Sequence, residues 1–255
     1  KSPVIQYFVW LGNILRGDFG TSIATQRPVS AVIREKAGAT LQLGLTGWVI
    51  ATVVGIPLGV LSAVKRATVL DYIGRFIAII GQATPSFWLA IVMILIFAIQ
   101  LDLLPTSGRP VHEPIHVQLR HLVLPAVVLG FEPWAAYLRL TRSAMLEVLN
   151  SEYIKFARAK GVSTAMVIWK HALRNALIQP LTISTVVLAS FITGTVFAET
   201  VFAWPGLGSL AVRATLDNDF PVVSVVVLLF GVVYVFLNFV ADLAYAYVNP
   251  RIRYD

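Results

Sequence analysis

Four stretches of this 255-residue chain contain no Asp, Glu, Lys or Arg: Leu41–Val64 (24 residues), Phe76–Leu101 (26), Ala176–Ala198 (23) and Phe220–Ala241 (22). About 20 apolar residues in a helix match a hydrocarbon layer roughly 30 Å thick. A fifth run, Leu122–Leu138, fits apart from Glu132 and Pro133. Lipid offers the backbone no hydrogen-bond partners, so each segment must satisfy its own amides as a helix. Charged residues make up 13% of the chain, against about a quarter in a soluble protein. The sequence therefore predicts an all-α, polytopic transmembrane bundle. It reads as a single domain over 1–255, with spans near 41–64, 76–101, 122–148, 176–198 and 220–247.

Charge sets the orientation. If the basic stretch 139–175 faces the cytosol, the inner segments 65–75, 139–175 and 249–255 hold 12 Lys and Arg in 55 residues. The outer segments 1–40, 102–121 and 199–219 hold 8 in 81, and five of those precede Leu41. That bias follows the positive-inside rule. The net charge of +7 thus marks span ends, and no nucleic-acid partner is expected. Five spans put Lys1 outside, which implies a further span upstream of it.

Punctuation refines the spans. Residues Tyr7, Phe8, Trp10, Leu11, Ile14 and Leu15 recur at helical spacing and can lie along the outer interface. Arg16–Ser22 makes a turn, and Pro28–Lys36 reads as a short helix leading into the first span. Pro85 removes a helix hydrogen bond, so a kink or break is expected near residue 81 or 82. Asn249–Arg253 reads as a positive cytosolic stop, and Asp242 as a partner for basic residues.

The stretch 150–175 is a basic, helix-forming island. Glu152–Lys160 reads as one helix, with Ser151 or Asn150 as N-cap. Gly161 stands where a left-handed C-cap would end it, and Lys160 suits the negative helix end. Ser163–Arg174 reads as a second helix. Two readings stay open on composition: a solvated hairpin touching anionic lipid, or a handle for a soluble partner.

Other residues carry paired readings as well. Glu132 lies near mid-depth, where a carboxylate is paired or in water. It lines a pathway or meets a partner helix, and Pro133 beside it would kink the span there. Gln82, Thr84 and Ser86, with Pro85 and Phe87, surround a broken helix. They contact a substrate, or bond the helix's own freed carbonyls. Val201–Gly208 is too apolar for a solvated loop and reads as a re-entrant plug or lid. Glu199, Trp204 and Pro205 then sit at the outer mouth, either receiving a docking partner or anchoring the interface.

Enzyme signatures are missing. No G-x-x-x-x-G-K-[ST] loop is present to hold ATP. There is no cysteine, and hence no thiolate metal site. His112 and His116 are separated by Pro114 and lack an obvious acidic third ligand, so no metal is expected.

The segments Ala157-Arg158-Ala159-Lys160-Gly161 and Lys170-His171-Ala172-Leu173-Arg174-Asn175-Ala176 resemble the coupling loop of ABC-importer permeases. The resemblance is to the dipeptide, oligopeptide and nickel permease family in particular. Arg16–Ser22, Gly55–Val60, Pro85–Trp88, Glu199–Gly208 and Asp242–Arg253 extend it over nearly the whole chain. The general importer pattern is Glu-Ala-Ala, three residues, Gly, nine residues, Ile-x-Leu-Pro. Here Ala157, Gly161 and Leu173 match, whereas Lys155, His171 and Arg174 depart from it and Glu152 lies one turn early.

The resemblance implies a bacterial or archaeal cytoplasmic-membrane subunit that imports dipeptides or oligopeptides. Nickel chelate or glutathione are alternatives, and an ion-coupled secondary transporter is a more distant one. It implies a homologous second permease, two cytosolic ATPases and an extracytoplasmic binding protein as partners. ATP and Mg would sit on the ATPases, with no cofactor on this chain. Glu152, Lys155, Ala157, Arg158, Ala159, Lys160, Gly161, Leu173 and Arg174 would then form the ATPase-coupling surface.

Overall fold

The computed structural model describes residues 2–248, and every regular element among them is a helix, apart from an isolated bridge between Thr21 and Pro28. In chain order these are α1 (Pro3–Leu15), α2 (Val29–Val64), α3 (Val69–Ala83), α4 (Ser86–Gln100), α5 (Ile115–Leu149), α6 (Glu152–Ala159), α7 (Thr164–Ala176), α8 (Ile178–Val201), α9 (Leu207–Leu216) and α10 (Phe220–Val248). Helices α2, α5 and α10 are each long and apolar enough to cross a membrane. Two bent pairs, α3 with α4 and α7 with α8, bring the number to five if each is one span. The stop at Asn249–Arg253 and the side chain of Asp242 lie outside the described residues.

At the centre α2 packs alongside α5 in the same direction. Gly47, Ala51, Gly55 and Gly59 recur every fourth residue and form a stripe of small side chains on α2. A methyl group on Gly55 would stand 2.6 Å from the carbonyl oxygen of Trp134, and one on Gly59 2.7 Å from that of Leu138. Helix association within lipid depends on close van der Waals contact, which small residues permit. The sequence carried this signal as Gly55-x-x-x-Gly59.

Two expectations about the spans are corrected. The short helix expected over Pro28–Lys36 is the first part of α2, which runs on for 36 residues. The break in the second span falls at Thr84 and Pro85 and turns the chain by 109°. A residue before proline is pushed out of the α region, and Thr84 adopts φ −86°, ψ 121°. The chain therefore turns before the proline, and Pro85 leads the next helix. By contrast, α5 is one continuous helix through Pro125 and Pro133.

Candidate functional site

Within the basic stretch 150–175, one side chain fixes the island. Ile154 on α6 is fully buried among Val60 and Ala63 of α2, Ala144 and Met145 of α5, and Val167 and Ala172 of α7. Around that anchor α6 turns its other residues outward. Glu152, Lys155, Arg158, Ala159 and Lys160 are exposed, and Ala157 is half-buried. Lys155 pairs with Glu152 at 2.7 Å, and the Lys160 ammonium lies 4.5 Å from the centre of the Phe156 ring.

Gly161 ends α6 at φ +78°, a left-handed conformation that only glycine adopts freely. The amide of Gly161 donates to Arg158, and that of Val162 to Ala157. Ser151 stands at the N-cap position as expected, but its hydroxyl donates back to the Val148 carbonyl of α5 and makes no side-chain cap. Ser163 does cap the next helix by accepting from the Met166 amide. That second helix is not regular: Val167–Ala172 is a π-helical stretch, and a 49° bend then leads into α8. Leu173 is half-buried and Arg174 exposed along it. Asn175 donates to the Tyr153 hydroxyl at 2.7 Å, tying α7 to α6.

Just above the island, Asp71 joins α2, α3 and α5. It is 2% exposed and accepts from Arg142 Nε and Nη2 at 2.7 and 2.9 Å, from Ser62 Oγ at 2.7 Å, and from the Ala67 amide at 3.0 Å. Sequence reading missed this cluster, since nothing in the spacing of 62, 71 and 142 reveals the contact.

The outer end is a closed knot. Trp204 is buried and its indole nitrogen donates to Ala39 of α2 at 2.9 Å. Glu199, fully buried at the end of α8, accepts from the Thr40 hydroxyl at 2.6 Å and the Ser209 amide at 2.9 Å. Thr40 in turn accepts from the Leu207 amide at 2.7 Å. Helix α9 has no cap of its own on Gly206, so Thr40 and Glu199 satisfy its orphan N–H groups from two other helices. Gly206 is required because a methyl group there would collide with the Glu199 carboxylate. Of the two readings for Glu199 and Trp204, a docking partner or an interface anchor, the buried geometry matches neither: both side chains are spent inside the chain, and Pro205 is half-buried.

Beside the knot, Asp219 caps α10 and holds the loop after α1. Burial pushes its carboxyl up, but donors at Ser22, Ile23, Ala24 and Val222 together pull it below the usual carboxylate range.

Between the two ends, the residues around the helix break divide. Thr84 Oγ1 donates to the Ile80 carbonyl at 2.7 Å, and Gln82 Nε2 to that of Ala78 at 3.2 Å. Both thus bond the carbonyls of their own broken helix. Ser86 is half-buried, whereas Pro85 and Phe87 are exposed. Glu132 is also exposed, with Pro133 half-buried beside it. A cavity of about 560 Å³ opens between α3 and α5, lined by Arg75, Gln82, Arg139, Arg142 and Ser143 among others.

Residues 55–254 match the family described as binding-protein-dependent transport system inner membrane component. An oligopeptide transport system permease protein, AppB of Bacillus subtilis, is 42% identical over 98% of this chain and 80% of its own length. A dipeptide transport system permease protein, DppB of Escherichia coli, is 36% identical over the same shares. The fold is shared with a subunit of the inward-facing MetNI methionine ABC transporter, at a TM-score of 0.70 and 20% identity over 87% of this chain and 98% of that one. These relatives are transport components that work with other transporter subunits, not enzymes. The chain belongs to the family of binding-protein-dependent transport-system inner-membrane components, the membrane-spanning permease subunits of ABC importers.

Proposed function

We propose that this chain forms half of a peptide pathway and that its α6–α7 elbow transmits the stroke of cytosolic ATPases. One observation carries the pathway reading: two long spans expose opposite chemistry. On α10 the exposed residues include Val227, Val232, Val235, Phe236, Phe239 and Leu243, all apolar. On α5 they include Glu132, Arg139, Ser143 and Glu147. An ionisable side chain facing lipid costs at least a few kcal/mol and usually faces water or protein instead. Helix α10 therefore suits lipid, while α5 suits a wet pathway closed by a homologous second permease. The relatives named for oligopeptides and dipeptides support a peptide as the substrate.

The elbow reading rests on α6 being a short rigid rod, held at Ile154 and ended by Gly161. Two ATPases with ATP and Mg would grip its charged outer face. An extracytoplasmic binding protein would deliver substrate to the opposite side of this inner-membrane subunit. Nucleotide binding would close the ATPases and move α6, opening the spans outward; hydrolysis would reset them.

Proline cannot adopt a φ of +78°, so Gly161→Pro removes the elbow without touching a span. In the reconstituted transporter, this variant is expected to insert normally and hydrolyse ATP without uptake. Normal peptide uptake would refute the lever.

A further inference from the structure

The open face of α5 also bears on which part of a substrate it holds, an inference that rests on the pathway reading above. Glu132 and Arg139 lie seven residues apart, so they share a helix face, roughly 10 Å apart along the axis. Both are exposed, and neither has a hydrogen bond or ion pair among the described residues. Arg139 opens into the cavity between α3 and α5, where Arg75 of α3 joins it from the opposite wall. The third guanidinium there, Arg142, is already committed to Asp71 through Nε and Nη2. The face thus presents a carboxylate toward the outer side and two guanidinium groups toward the cytosol. Arg139 is without a partner among the described residues, and Arg75 lies 6.0 Å from the centre of the Tyr72 ring and keeps its hydrogen-bond donors open.

We propose that this face is a two-ended clamp for a short linear peptide with free termini. Glu132 takes the ammonium group, and Arg139 with Arg75 takes the carboxylate. The spacing fits, because an extended chain of two to three residues spans roughly 7–10 Å. Guanidinium groups match a carboxylate better than an ammonium would, since they donate in a planar fork. Exposed pairs are individually weak, as a pathway that must release its cargo requires. The cavity is large enough for a small side chain beside the carboxylate, at about 560 Å³.

The chain has no cysteine, so Ser143→Cys places its only thiol on the cavity wall without altering the clamp. In the assembled transporter, the rate of alkylation of this thiol by a membrane-impermeant maleimide is measured with alanyl-alanine or its C-terminal amide present. The free dipeptide is expected to slow labelling about fivefold more than the amide, the upper range for an exposed ion pair. Adding Arg139→Gln should erase that difference, and Arg139→Lys should keep part of it. Equal protection by acid and amide, or none by either, overturns the clamp while leaving the pathway intact. A thiol that resists the reagent altogether overturns the pathway reading itself.

Discussion

The two ends of this molecule solve the same problem, a chain reversal between spans, in opposite ways. At the outer end, Glu199, Thr40, Trp204 and Ser209 spend their polar groups on one another and on α2, α8 and α9. At the inner end, α6 is held chiefly by the apolar side chain of Ile154, and its charged residues stay exposed. Directional hydrogen bonds between buried groups fix one geometry, whereas an apolar contact tolerates small rotations. In the proposed lever, the outer knot would be the fixed point and the inner elbow the movable part.

That contrast can be broken by mutation. Glu199→Ala should have the largest effect, because it strands the Thr40 hydroxyl and the Ser209 amide in the interior. At about 1–3 kcal/mol for each unmet donor, a loss of about 4 kcal/mol is expected in thermal unfolding of the detergent-solubilised subunit. Ile154→Ala leaves a cavity and should cost about 3 kcal/mol. It should also abolish peptide-stimulated ATP hydrolysis in the assembled transporter. If Ile154→Ala changes coupling as little as it would at an arbitrary buried site, the elbow is not the movable part.

A smaller effect belongs to pH. Asp219 has its carboxyl held below the usual range, so its contribution is complete above an unfolded-state value of about 4 and fades as pH drops through the folded value. Proteolysis of the loop 22–28 should therefore stay slow from pH 8 to pH 5 and accelerate only in stronger acid. Asp219→Asn should remove that acid dependence. The smallest effect is expected for Lys155→Gln. Its pair with Glu152 is solvent-exposed, and such pairs contribute little. Stability should be unchanged, so any defect in this variant would report lost ATPase contact alone.

Parts of this could be read from the chain. The left-handed glycine at 161 followed from a basic helix that had to stop, and the break in the second span followed from Pro85. Its position did not, because the lost hydrogen bond reaches back to residue 81 whereas the steric restriction falls on Thr84, and the second prevailed. The fate of Glu199 and Trp204 was misread for a different reason. An acid and a tryptophan at a membrane surface read as a docking site or an interface anchor, and neither reading includes the chain's own distant backbone. Only the approach of Ala39 and Thr40, about 160 residues earlier in the chain, decides the outcome.

What the sequence determined alone is the membrane habit: charge-free runs of spanning length, the inward bias of Lys and Arg, and helices throughout. These depend on local composition and on the chain's own hydrogen bonds, which need no distant partner. Only the tertiary structure decided which spans touch, which polar groups close on one another, and which charges stay open along α5. Those outcomes depend on backbones coming within van der Waals reach, as at Gly55 and Gly59, between residues that lie far apart in the chain.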